Sequence, residues 1–315
     1  MNKAIIDIGT NTFNLLVANF GPGGHWCIEF ANSIPVFLGK NAGERNEIQP
    51  DRMLRALDAI HIHLNNALNY DCREFVLTGT AMMRNATNAS KLVEAVRKRF
   101  SKEIKVINGQ AEAAFIFKGI GLLLPQDNKV KLLMDIGGGS VEFVIFRNEE
   151  VLWKSSYPLG VSHLSNLLPL SDPLTKEDLL ALKRVIDSET YDLWENIKIH
   201  KPTVLVGSAG SFDTLSAIAT AFQQSFDLGT SQFISLDDFR KMQKMMLSKK
   251  ADERIFIQGM EPSRVHTLPL ACVLIDHVLG KSNISIIHRT AYAMREGIAA
   301  SMADGTFDAI VNNND

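Results

Sequence analysis

Paired thiols, long apolar runs and a strong charge of either sign are all missing from this chain. Cysteine occurs only 3 times, at Cys27, Cys72 and Cys272, with no C-x-x-C pair. A disulfide framework or a thiolate zinc site is therefore excluded, and buried thiols are the expectation. One of the longest apolar stretches, 268–275, is closed by Asp276 and is far too short to cross a bilayer. Asp7 interrupts what would have to be the apolar part of a leader peptide, so the expected location is cytoplasmic, away from membranes. The 33 Lys and Arg residues nearly balance 35 Asp and Glu, for a formal net charge of -2. That balance gives duplex nucleic acid or an anionic membrane surface no general attraction.

What is present is an ordinary globular composition, 46% hydrophobic and 22% charged over 315 residues. It suits one large or two medium α/β domains. Two segments answer each other, AIIDIGTNTFNLLVA from Ala4 and LLMDIGGGSVEFVIF from Leu132. Asp7-Ile8-Gly9 pairs with Asp135-Ile136-Gly137, and Thr12 with Ser140. Each copy reads as strand, tight turn, strand. A Rossmann or P-loop site needs a helix directly after its glycines, and a P-loop also needs a G-K-[ST] lysine. Here β-branched and aromatic residues follow instead, and no such lysine is found.

The remaining periodicities predict helices over 51–69, 89–100, 110–122, 175–194, 212–221, 236–247, 262–279 and 293–302. Strands are predicted over 75–80, 104–107, 203–206 and 284–287. Thr175 is expected as an N-cap with Asp178 three residues on. The polar turn at 125–128 suggests domains over 1–122 and 123–315, the last helix from about 293 being free to return to the first domain.

Four turns could hold a polyanion and a hard metal. They are Asp7 with Gly9, Thr10, Asn11 and Thr12; Asp135 with Gly137, Gly138, Gly139, Ser140 and then Glu142; Gly79-Thr80 with Arg84 behind; and Gly207, Ser208, Gly210 and Ser211. Glycine lets an oxyanion approach backbone N–H groups closely. An aspartate ending a buried strand is costly unless paired or metal-bound, and Mg²⁺ (or Mn²⁺) held by one or two carboxylates plus phosphate oxygens would account for it. A structural hairpin whose Asp caps its own backbone is the alternative for a single copy. Glu112, in the first turn of a helix, reads as a dipole-satisfied surface carboxylate or as a general base for water. Arg84 reads as an exposed helix arginine or as a group offsetting phosphoryl charge. His61 and His63 are two apart on a predicted helix and make a poor metal pair.

In order and spacing, DIGTNTFNLLVA (7–18), GTAMMRNA (79–86), NGQAEAAFIF (108–117), DIGGGSVEFVI (135–145), YPLGVSHL (157–164), GSAGS (207–211), ERIFIQGMEPSRV (253–265) and MREG (294–297) resemble the exopolyphosphatase/guanosine pentaphosphate phosphatase family. That family belongs to the actin, sugar-kinase and heat-shock ATPase superfamily. The resemblance implies two ribonuclease-H-like (actin-like ATPase) domains flanking an active-site cleft. It implies Mg²⁺-dependent release of terminal phosphate from inorganic polyphosphate or guanosine pentaphosphate. By position, Glu112 resembles the catalytic base and Arg84 a phosphate-contacting arginine. Asp135, Gly137, Ser140 and Glu142 resemble one phosphate and metal loop, and Asp7 to Thr12 the other. Ala111 and Ala114 stand where the family often carries an acidic and a basic residue, and Thr290-Ala291-Tyr292 stands in place of its usual Ser-Asp-Gly. The chain resembles the short, two-domain members. A small-molecule kinase of the superfamily, and a weakly catalytic sensor of alarmone or polyphosphate, are the alternatives. A homodimer is the general prior for a soluble enzyme.

Overall fold

The computed structural model describes residues 1–43, 45–222 and 231–312. The chain divides into two compact units, Met1–Gly119 with Ala293–Asp315, and Ile120–Tyr292.

Unit 1 is built on β1 (Asn2–Ile8), β2 (Thr12–Phe20) and β3 (Trp26–Pro35), an antiparallel meander. Then come α1 (Pro50–Leu68), β4 (Glu74–Gly79), α2 (Ala81–Asn85), α3 (Ala89–Phe100), β5 (Ile104–Val106) and α4 (Gly109–Gly121). The sheet order is β3-β2-β1-β4-β5, with β4 parallel to both β1 and β5. β1 lies in the middle of the sheet, which suits its Ala4-Ile5-Ile6 run, buried on both faces. α1 buries Leu57, Ile60 and Leu64, the stripe its 3.6-residue period predicts.

Unit 2 repeats the plan with β6 (Val130–Ile136), β7 (Val141–Arg147) and β8 (Glu150–Tyr157). α5 (Val161–Leu167), α6 (Lys176–Glu189), α7 (Tyr191–His200), β9 (Val204–Ser208) and α8 (Ala209–Phe222) follow. Then come β10 (Ser231–Ser235), α9 (Leu236–Ser248), α10 (Ala251–Arg254), α11 (Leu268–Gly280) and β11 (Ile286–Thr290). The order β10-β11-β9-β6-β7-β8 contains the unit 1 order in reverse listing, with β10 added antiparallel at the edge.

The chain then returns to unit 1 as α12 (Met294–Ala303) and α13 (Phe307–Asn312). α12 packs on β1, β2 and β3. It crosses α4 at glycines: a Cβ on Gly297 would stand 1.7 Å from the Phe115 carbonyl oxygen, and one on Gly119 2.0 Å from that of Ala293. Only hydrogen at both positions allows this approach.

Two helices differ from expectation. The span 175–194 is two helices, α6 and α7, because Thr190 turns its hydroxyl back onto the Ile186 carbonyl at 2.5 Å and leaves the helical region. Thr175 does cap α6, with Asp178 completing the reciprocal capping box. The span 262–279 begins with a single tight turn at Pro262–Arg264, and α11 starts only at Leu268, with Pro269 in its first turn. No helix among the described residues is long and apolar enough to cross a membrane.

Candidate active site

In unit 1 the β1–β2 turn closes with the Gly9 amide donating to the Thr12 carbonyl, 3.2 Å. A side chain at Gly9 would meet that same carbonyl at 2.7 Å. The 36–37 backbone braces the turn, both amides donating to the Asn11 carbonyl. Asp7, the last residue but one of β1, lies opposite Asn14 on β2 and Thr78 on β4, and Asn14 lies opposite Ser33 on β3. Residues in register share one face of a sheet, so Ser33, Asn14, Asp7 and Thr78 form a polar row. Along it, Ser33 Oγ donates to Asn14 Oδ1 at 2.8 Å and Asn14 Nδ2 to Asp7 Oδ2 at 2.9 Å. The Thr78 hydroxyl is buried and makes no hydrogen bond among the described residues.

Unit 2 carries the counterpart. Asp135 lies opposite Glu142 and Ser208, and Glu142 opposite Ser156. Ser208 Oγ donates to Asp135 Oδ2 at 2.5 Å and Ser156 Oγ to Glu142 Oε1 at 2.7 Å. The rows correspond in residue type, hydroxyl for hydroxyl and aspartate for aspartate, except at the second position, where unit 1 has an amide, Asn14, and unit 2 a carboxylate, Glu142. Unit 2 therefore sets two buried carboxylates side by side, and unit 1 sets one carboxylate beside an amide.

The glycine turn after Asp135 is held from behind. Its Gly137 and Gly138 carbonyls accept from the Val161, Ser162 and His163 amides at 2.9–3.1 Å. Gly160 lies so close that a Cβ would be 2.4 Å from Gly138 and Gly139. With its carbonyls taken up there, no protein acceptor among the described residues takes the Gly138 and Gly139 amides. Such N–H groups suit an anion.

The fourth turn, expected between a strand over 203–206 and a helix over 212–221, is a direct strand-to-helix junction. Gly207 and Ser208 end β9, Ala209 has a φ of 65°, and Gly210 and Ser211 lie in the first turn of α8. The Phe212 ring fills the space over Gly207. The Arg264 guanidinium lies against Gly210, where a Cβ would meet Nη2 at 1.7 Å. Burial loosens the hold of Arg264 on its proton, while Asp213, Glu261 and Asp135 strengthen it. The sequence reading passed over Arg264, which stood in a quoted motif without a periodicity or spacing to single it out.

Glu112 and Arg84 meet in unit 1. Asn108 caps α4, its Oδ1 accepting from the Ala111 amide at 2.7 Å, which places Glu112 in the first turn facing inward. Arg84, in the last turn of α2, donates from Nη1 to Glu112 Oε2 at 2.6 Å and to the Ile107 carbonyl at 2.9 Å. Arg84 is thus no free surface arginine, nor Glu112 an exposed helix carboxylate: their side chains are 18% and 11% accessible. Burial pushes the Glu112 carboxyl above its ordinary range, and the Arg84 charge pulls it back only in part.

The flagged Gly79-Thr80 turn adjoins this pair, its carbonyls accepting from the Ile107 and Arg84 amides at 3.0 Å. His63 is buried with its Nε2 at 3.0 Å from the Phe13 carbonyl, and burial lowers its proton affinity. Among the described residues no cluster of three or more His, Cys, Asp or Glu could by itself hold a metal.

Two units with the ribonuclease-H strand order, each ending its first strand in an aspartate and a glycine turn, define the actin-like ATPase fold class. The model of the Ppx/GppA phosphatase family matches residues 27–305, and the chain belongs to that family. A crystal structure of an exopolyphosphatase from Cytophaga hutchinsonii superposes with a TM-score of 0.93 at 31% identity, covering 97% of this chain and 98% of that one. The Aquifex aeolicus family member shares the fold, with a TM-score of 0.78 at 20% identity over 97% of this chain and 98% of that one. Among curated relatives, the guanosine-5'-triphosphate,3'-diphosphate pyrophosphatase of Vibrio cholerae is 26% identical over 95% of this chain. This chain spans only 59% of that relative's length. Exopolyphosphatase 1 of Mycobacterium leprae is 22% identical, over 97% of this chain and 92% of its own.

Proposed function

We propose that the chain is a phosphohydrolase that releases the terminal phosphate from inorganic polyphosphate, guanosine pentaphosphate or both. The observation that carries this reading is Glu112, a buried carboxylate with raised proton affinity, fixed by Arg84. Such a group is suited to take a proton from water. The water oxygen forms a bond to the terminal phosphorus, its proton passes to Glu112, and the bridging P–O bond breaks. One inorganic phosphate leaves, and the remaining chain keeps the oxygen and its charge. Arg84 has donors beyond Nη1 to offset charge on the transferred phosphoryl group. In unit 2 the Gly138 and Gly139 amides and Arg264 are the groups suited to phosphate oxygens.

The donor set fits Mg²⁺ or Mn²⁺. Asp135 and Glu142 supply two adjacent carboxylates in unit 2, Asp7 is the corresponding carboxylate of unit 1, and such ions complete a shell begun by one or two carboxylates with water and phosphate oxygens. An all-protein cage for zinc does not form among the described residues. When bound, the ion would neutralise charge on the phosphate oxygens.

The test is phosphate release by the purified chain from polyphosphate and from guanosine pentaphosphate, side by side, with Mg²⁺ and with Mn²⁺. Turnover of either substrate supports the reading. Release from neither, with either metal, ends it.

A further inference from the structure

Arg254, at the end of α10, is one of the most deeply buried side chains in the molecule, 1% exposed. Each of its guanidinium nitrogens donates a hydrogen bond. Nε donates to the Met246 carbonyl at 2.9 Å, Nη1 to the Val265 carbonyl at 2.9 Å and Nη2 to Asp172 Oδ1 at 2.6 Å. The other Asp172 oxygen accepts from the Ala251 amide at 2.8 Å. One side chain thus ties together the end of α9, the loop before α6 and the residue that follows Arg264. A guanidinium out of water is costly even when paired, and an apolar side chain would fill the same volume at lower cost. What the guanidinium adds is direction: three donors in a rigid fork fix three segments relative to one another.

The loop between Arg254 and Arg264 is held at a second point. Gly259, with φ of 87°, presses on α8, where a Cβ would stand 2.6 Å from the Ala217 carbonyl carbon. Arg264 itself lies on Gly210 at the start of the same helix. The segment carrying Arg264 therefore has little freedom to place its guanidinium elsewhere.

We propose that Arg254 is a positioning residue for anion binding: by holding the Val265 carbonyl it seats the Arg264 guanidinium over Gly210 and so sets the affinity of unit 2 for a phosphate chain. The inference rests on the reading of unit 2 as a phosphate-binding unit. Its prediction is a coupling, not merely a loss.

The experiment uses the full chain carrying Glu112→Gln, so that the probe is not consumed, and titrates inorganic tripolyphosphate with Mg²⁺ by calorimetry. Four proteins are compared: this parent, Arg264→Ala, Arg254→Lys and the double variant. Arg264→Ala is expected to weaken binding about tenfold, the scale of a lost charge-assisted contact. Arg254→Lys is expected to weaken it about fivefold through misplacement. In the Arg264→Ala background, Arg254→Lys is expected to change nothing further. Losses that multiply in the double variant, an Arg254→Lys affinity equal to the parent's, or no binding by the parent would each overturn the proposal. Should Arg254→Lys fail to fold by circular dichroism, Asp172→Asn, which leaves one oxygen to serve either Arg254 Nη2 or the Ala251 amide and removes the ion pair, takes its place in the same cycle. Phosphate release by the unsubstituted chain is measured alongside. Its absence counts against the hydrolase reading, while the binding cycle still decides the role of Arg254.

Discussion

Replacing Glu112 by glutamine removes a proton acceptor while keeping the shape and one oxygen acceptor. Arg84 Nη1, 2.6 Å from Glu112 Oε2 and 2.9 Å from the Ile107 carbonyl, retains both partners if the amide oxygen faces it. The fold and the seating of Arg84 should therefore persist. On the proposed mechanism what is lost is the general-base contribution, about 10²–10⁴ in rate, or about 3–5 kcal/mol of barrier. KM should change little, because the glutamate's partner is Arg84 and not the substrate. The pH profile sharpens the test. Burial raises the proton affinity of Glu112 above the ordinary carboxylate value, so the unsubstituted chain loses its base as pH falls through that raised value. Its acid limb should lie above the usual carboxylate range and vanish in the variant. Initial rates of phosphate release across pH, with Mg²⁺ held saturating, decide the matter. A glutamine variant within tenfold of the parent kcat, or one that keeps the same acid limb, refutes the assignment.

Arg84→Met should move that limb to higher pH, since burial then acts on Glu112 unopposed; Arg84→Lys should move it less, and a downward move in the Met variant would contradict the electrostatic account. Mn²⁺ binding followed by electron paramagnetic resonance without substrate should weaken about tenfold or more in Glu142→Gln, while Asn14→Asp, giving unit 1 the adjacent carboxylates of unit 2, should raise the amount of Mn²⁺ bound. Gly297→Ala forces a methyl group to within 1.7 Å of the Phe115 carbonyl oxygen and should cost about 1–3 kcal/mol, read as a lower melting temperature. Gly121→Ala, with nothing within 4 Å of its new methyl group, should be neutral or stabilising by up to about 1 kcal/mol.

The repeat was legible because it lies in contiguous residues whose order survives in both copies. Asp7 and Asp135, with their glycine turns, do fall at equivalent places of equivalent sheets. Ser33 and Ser156 were not legible. They lie on β3 and β8, solvent-accessible edge strands whose sequences do not alternate cleanly between apolar and polar residues, so nothing local announced the polar rows. The Arg84–Glu112 pair joins residues on separate helices, and only the fold brings them together. The break at Thr190 escaped because the apolar stripe continues on both sides of it: Leu182 and Ile186 before, Leu193 and Ile197 after. Ala111 is a buried side chain in the first turn of α4, where a charge would need a partner of its own.

The return of α12 to unit 1 bears on how the chain is made. Unit 2 is continuous, Ile120–Tyr292, whereas unit 1 takes its last helices from the extreme end of the chain. A nascent polypeptide that has just cleared Gly119 holds a sheet whose α12-facing side is still bare. At about 5–20 residues per second it waits on the order of 10–35 s for its cover. Over that interval the second half can fold to completion while the first half lacks its cover, and a fragment ending at residue 119 should aggregate where one spanning 120–292 stays dispersed.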